Sequence, residues 1–151
     1  MTSRADTVVA LRASGVAFVL QISAPIPRVL HWGADLGEST AATAYALALT
    51  ASPAQLNNSP DIPRSFSALP TEYEGWSGTP ALSGHAQGRA TTPRPRLVRH
   101  DVVIPSDGVG GRIALEFEDE VCGIRTQLRY HLDAHGVLAV DASLTRAAEP
   151  V

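Results

Sequence analysis

The chain reads as an all-β, mainly antiparallel β-sandwich with one short helix and a long Pro/Gly-rich loop. Three observations predict this class. Apolar and polar residues alternate with period two through several segments, as half-buried strands require. Short turn sequences join most of those segments as antiparallel hairpins, with no βαβ rhythm, so a sandwich follows. At 151 residues the chain fits one domain, and with 44% hydrophobic but only 5% aromatic content its core must be largely aliphatic.

Thr7 to Arg12 reads as the first strand, with Ala13-Ser14-Gly15 as the turn after it. In Val16 to Ile22, one face carries Val16, Phe18, Leu20 and Ile22, and the other Ala17, Val19 and Gln21. Both faces are mostly apolar, which predicts a central strand. Pro25 and Pro27 then favour a bend or an edge position before Arg28 to Trp32 resumes as a short strand. Trp32, in a strand, is expected in the core.

Ser39 to Thr50 differs. Ser39 or Thr40 can cap a helix with Glu38 near its positive end, Ala41 to Leu49 is rich in alanine and leucine, and Pro53 stops the run. Tyr45, Leu47 and Leu49 would also share a face in a strand. The composition favours the short helix.

Residues 53 to 96 carry Pro53, Pro60, Pro63, Pro70, Pro80, Pro93 and Pro95, with glycines recurring from Gly75 to Gly88. A structureless loop of this length within one domain is usually functional or a linker. It is expected to be an elaborated loop holding a few short strands, not a domain boundary.

Val98 to Ile104 reads as a strand, joined through Ser106-Asp107-Gly108-Val109-Gly110-Gly111 to one in which Ile113, Leu115 and Phe117 face inward. Ile124, Thr126, Leu128, Tyr130 and Leu132 then alternate with Arg125, Gln127, Arg129 and His131, which marks a half-buried antiparallel strand. Asp133-Ala134-His135-Gly136 turns the chain and Val137 to Leu144 returns. Residues 145 to 151 trail off without a partner strand, so the chain is expected to be a piece of something longer.

Composition excludes several classes. A net charge of −3 lacks the basic footprint of a nucleic-acid binder. One cysteine, Cys122, cannot build a disulfide framework or a cysteine-rich zinc site. The N-terminus lacks the parts of a signal peptide and no apolar run is long enough to span a bilayer, so a cytoplasmic location is expected, with no membrane partner.

Candidate motifs mostly have plain explanations. Gly108-Val109-Gly110-Gly111 has neither phosphate-loop nor dinucleotide spacing and suits a hairpin loop. Gly75-Trp76-Ser77-Gly78 lacks the second glycine of a nucleophile elbow, Thr79 standing there. His131, Asp133 and His135 have metal-like spacing, but they belong to a strand and its turn, so no metal or other cofactor is expected. Glu116, Glu118, Asp119 and Glu120 read as a solvated face at a strand end, and Cys122 as a small buried or half-buried residue. Trp76 is different. In a glycine-flanked loop it can stack on a sugar face, anchor an interface or pack internally.

Two segments carry a resemblance. Pro27-Arg28-Val29-Leu30-His31-Trp32-Gly33-Ala34-Asp35-Leu36-Gly37 resembles a stretch near the start of family 36 glycoside hydrolases, the bacterial α-galactosidases. Gly75-Trp76-Ser77-Gly78-Thr79-Pro80-Ala81-Leu82-Ser83-Gly84-His85 resembles a loop of the same family, which typically reads Gly-Trp-x-Gly-Arg-Pro-x-Leu-x-Gly-His-Arg. The resemblance covers the whole chain, 1–151, and implies part of the family's N-terminal supersandwich, ending before the catalytic barrel.

The family's two catalytic aspartates lie in that barrel, so no catalytic residue is expected here and the chain alone should be inactive. The family's reaction is retaining hydrolysis of terminal α-linked galactose. The resemblance implies that the domain supports the barrel and oligomer assembly, with the barrel or neighbouring subunits as partners and α-galactosides as possible ligands. It also implies that Asp61, Arg64, Trp76 and His85 line a neighbour's sugar pocket or an interface. Thr79 and Ala86 replace two arginines of the pattern, which removes two forked donors. The alternatives are a stand-alone carbohydrate-binding or interaction module, and a decayed gene product.

Overall fold

The computed structural model describes residues 7–22, 25–38, 41–51, 57, 66–76, 78–85, 88 and 92–146. Three strands come first: β1 (Thr7–Ala13), β2 (Val16–Ile22) and β3 (Arg28–Ala34). Helix α1 (Ala41–Thr50) follows, then a 3-10 turn at Glu72–Glu74. Four strands complete the order: β4 (Arg96–Val103), β5 (Gly111–Asp119), β6 (Ile124–Leu132) and β7 (Leu138–Arg146).

The strands form two antiparallel sheets, β1-β2-β3 and β4-β5-β6-β7, each in chain order. Their facing sides enclose the core. Leu11, Phe18 and Leu20 from the first sheet meet Ile113, Leu115, Phe117, Leu128, Tyr130 and Leu132 from the second. Phe18 stacks on Tyr130 with ring centroids 4.9 Å apart, which fixes β2 over β6. Fully burying such aliphatic and aromatic side chains is worth about 1.5–3 kcal/mol each, which makes this row the main source of stability. The predicted all-β sandwich is therefore the fold.

The period-two segments became strands because alternation matches the pleat. On β5, Gly111, Ile113, Leu115, Phe117 and Asp119 are buried while the residues between them face outward. β2 is central in its sheet, as its two apolar faces require. Its outer residues Ala17 and Val19 are buried because α1 lies across that side. Between α1 and the sheet is a half-open apolar cavity of about 220 Å³, lined by Ala10, Ala17 and Val19 below and Ala44 and Leu47 above.

The turns obey local rules. Ser14 and Gly15 both take positive φ, 49° and 77°, as a two-residue hairpin turn demands. In the β6–β7 turn, the Asp133 carboxylate accepts from the N–H groups of His135 and Val137 at 2.9 Å. Those bonds hold its pKa below the usual carboxylate range, and occupy Asp133 in the turn.

Four expectations are corrected. Trp32 is not core: it is 68% exposed. It lies across from Phe18, on the core-facing side of its sheet, but on edge strand β3 where the second sheet does not cover it. Asp119 is not part of a solvated face. It is 2% exposed and its carboxylate accepts from the backbone N–H groups of Val121 and Cys122, both at 2.9 Å, and of Arg94. The fourth strand starts at Arg96, not Val98, because the ladder begins directly after Pro95, which has no N–H to give. Of the short strands expected in the long loop, the described residues show one isolated bridge, between Ser67 and Arg28.

No helix among the described residues is long and apolar enough to cross a membrane.

Candidate functional site

The loop segment 66–85 is built outward from the edge of β3. The Val29 N–H donates to the Phe66 carbonyl and the Ala68 N–H to the Pro27 carbonyl, both at 2.8 Å. Ser67 thereby bridges Arg28 and extends the first sheet for one residue. Leu69 is buried in the core and the Tyr130 hydroxyl donates to the Ala68 carbonyl at 3.3 Å. The loop is thus fastened to both sheets before it reaches Trp76. Burial pushes the Tyr130 phenol up to about 12.

The chain then closes on Thr71. Its carbonyl accepts from the N–H groups of Glu74 and Trp76, both at 3.2 Å, around the 3-10 turn. Gly75 sits at φ 78°, in the left-handed region that favours glycine, so the Gly-Trp order of the motif has a backbone cause.

Trp76 is half-buried. Its indole Nε1–H donates to the Thr79 carbonyl at 3.1 Å, and its ring meets Phe66 edge-on with centroids 6.0 Å apart. Phe66 is itself exposed. Nearby on the chain, Tyr73 is exposed and carries the Arg94 guanidinium over its ring, 4.9 Å from the centroid. Desolvation raises the pKa of Glu74, against the opposing pulls of the Ser67 hydroxyl and Arg28. The segment therefore offers aromatic rings beside a carboxylate, a hydroxyl and guanidinium groups. Rings for apolar sugar faces and polar groups for hydroxyls are the chemistry that carbohydrate contacts use.

Of the expected site residues, Asp61 and Arg64 lie outside the described residues. His85 is exposed, and its Nδ1 accepts from the Gly88 N–H at 3.0 Å. Phe66, Tyr73 and Arg94 were missed by motif reading. A compositional signal was present: three of the eight aromatic residues fall between positions 66 and 76. The acidic residues on β5 serve the sheet: Glu116 and Glu118 both pair with Arg125 across on β6.

The sequence matches the glycosyl hydrolase family 36 N-terminal domain over residues 25–150. The chain belongs to this family. The family 36 N-terminal domain fold also recurs in solved structures. The α-galactosidase from Lactobacillus brevis matches with a TM-score of 0.71 at 14% identity, over 95% of this chain and 22% of its own. The GH36 α-galactosidase AgaA from Geobacillus stearothermophilus matches with a TM-score of 0.65 at 17% identity, over 93% of this chain and 22% of its own. The chain thus spans 22% of the length of each of these structures. No curated protein matches the sequence.

Within this family 36 domain the matched region takes in everything from the bend before β3 to the end of β7, including the aromatic loop.

Proposed function

We propose that the chain is the non-catalytic N-terminal β-sandwich of an α-galactosidase, where it packs on a catalytic barrel and helps to assemble the oligomer. The match to the family 36 N-terminal domain over residues 25–150 carries this reading. Purified alone, the chain leaves an aryl α-galactoside unhydrolysed. Release of the aryl alcohol by the purified chain above the buffer rate would overturn the non-catalytic part. Mixed with a family 36 barrel lacking its own sandwich, the chain is expected to co-elute with it.

In that assembly the 66–85 loop turns its aromatic edge toward a sugar pocket, with Trp76 covering a sugar face and Asp61, Arg64 and His85 as polar neighbours. The Phe66–Trp76 contact favours a second reading as well, a weak stand-alone sugar-binding surface. Titration with galactose, melibiose and raffinose separates the two. In a Trp32→Phe background, Trp76 is the only indole left to report. A saturable change with the isolated chain supports the stand-alone surface, and no change leaves the loop dependent on its assembly.

A further inference from the structure

We infer that Gly78 is a positioning residue for Trp76. Having no side chain, it lets the indole seat one edge on the 78–79 backbone, so the loop presents a ring locked in one pose and open to a ligand through its apolar surface alone. This deepens the proposed sugar-facing role of Trp76 and rests on it.

The second glycine of Gly75-Trp76-Ser77-Gly78 needs its own cause. Gly75 takes positive φ but Gly78 does not, so the backbone at 78 makes no demand for glycine. Space does. A Cβ at 78 would stand 2.9 Å from Nε1, 3.2 Å from Cε2 and 3.3 Å from Cζ2 of Trp76. Non-bonded heavy atoms settle farther apart than the first of these, so the indole or the backbone would have to move.

The same edge of the ring is held by a hydrogen bond, from the indole Nε1–H to the Thr79 carbonyl at 3.1 Å. Pro80 follows, and a residue before proline is confined to extended conformations, which restricts where that carbonyl points. The Ala81 N–H then donates to the Pro70 carbonyl at 2.8 Å, while the backbone N–H of Trp76 donates to the Thr71 carbonyl. Leu69 and Thr71, on either side of Pro70, are buried. The ring and its seat are thus fastened to two neighbouring residues at the margin of the core.

An indole held in this way has little freedom left to lose when a ligand arrives, which is the advantage of pre-organisation. Its single donor is already spent. A sugar therefore meets carbon and π surface, and Trp76 selects a C–H patch of the sugar ring rather than a hydroxyl. Thr79 acts through its carbonyl, which every residue carries, so the threonine standing in place of the pattern's arginine leaves the seat intact.

The test begins with NMR of the sugar-free chain. The ring proton on Cζ2 of Trp76 is expected to show a nuclear Overhauser contact with the Gly78 α-protons. The Trp76 Nε1–H should exchange with solvent about fivefold or more slowly than that of the exposed Trp32, as one net hydrogen bond provides. Gly78→Ala should bring the Trp76 exchange up to the Trp32 rate, and Thr79→Ala should leave it slow. The inference is overturned by a missing Gly78 contact, by exchange as fast as that of Trp32, by slow exchange that survives Gly78→Ala, or by its loss in Thr79→Ala. The first two readings need no variant, so they decide the matter even where Gly78→Ala does not fold. Galactose is then added. Ring protons of Trp76 should shift while the Nε1–H exchange stays slow, and an Nε1–H that leaves Thr79 for the sugar overturns the inference. A seated ring whose protons ignore the sugar counts against the sugar reading of the isolated loop and leaves the seat standing, so the two failures are told apart.

Discussion

Asp119 shows how one carboxylate can organise two distant pieces of chain. It closes the β5–β6 turn through Val121 and Cys122 and reaches back to the Arg94 N–H, just before β4. Bonds to a buried charged acceptor are worth more than neutral ones, and removing the acceptor strands its donors. Asp119→Ala is therefore expected to lower stability by about 3 kcal/mol in denaturant unfolding, and Asp119→Asn to recover part of that. The thiol of Cys122 sits beside this group, and burial together with the Asp119 charge pushes its pKa up, so slow alkylation at neutral pH is expected. Arg12 and Asp35 make a second anchor, with two bonds at 2.7 and 2.8 Å joining β1 to the residue after β3. The Arg12 hydrogen bond holds the Asp35 carboxyl below its ordinary pKa. A depressed carboxylate stabilises the fold above its unfolded pKa, and the gain is lost as pH falls through the folded value. Titration of the Asp35 carboxyl by NMR checks this, and Arg12→Ala should raise it toward the ordinary range, with the Gly37 N–H still donating to it. Tyr130 works at the other end of the scale. Its folded pKa of about 12 lies above the unfolded value near 10, so stability contributed by the neutral phenol falls as pH rises between them. Tyr130→Phe should flatten that alkaline slope in thermal melts.

The strands themselves were the most legible elements. β2 and β6 match their sequence bounds because period-two patterns depend only on neighbours along the chain. α1 was legible for the same reason, from composition and a proline stop. What the sequence withheld was position within the sheets. Nothing local to Trp32 says that β3 is an edge strand, and nothing local to Asp119 says that Arg94 will arrive beside it. The candidate site divides along the same line. Trp76 stood out through its glycine neighbours, whereas its contact with Phe66 exists because a one-residue bridge to β3 sets where the loop begins. The glycine-rich connection between β4 and β5 illustrates the point from the other side. Gly110 has φ 70°, and a Cβ there would collide with the Leu132 carbonyl oxygen. Gly110→Ala is expected to cost at least about 2 kcal/mol, from the left-handed backbone and the close approach together, seen as a lowered unfolding midpoint. The hairpin reading of this glycine run was right, and the second reason for Gly110 is a tertiary contact.

At the scale of the molecule, the two sheets are joined by a few contacts of high consequence. The Phe18–Tyr130 stack, the Arg12–Gly110 bridge and the Leu97 N–H to Pro25 carbonyl bond tie one sheet to the other. Within each sheet, every strand pairs with the next one along the chain. This order has a kinetic consequence. Neighbouring hairpins form on the microsecond scale, roughly 1–10 μs each, because little chain must be closed to make them. Bringing the sheets face to face is slower, since the long connection from β3 to β4 must close first. The two halves should therefore gain their hydrogen bonds early and separately, and their shared aliphatic interior late. Truncating Phe18 should then speed unfolding while scarcely slowing refolding, whereas weakening the β5–β6 pairing should slow refolding itself.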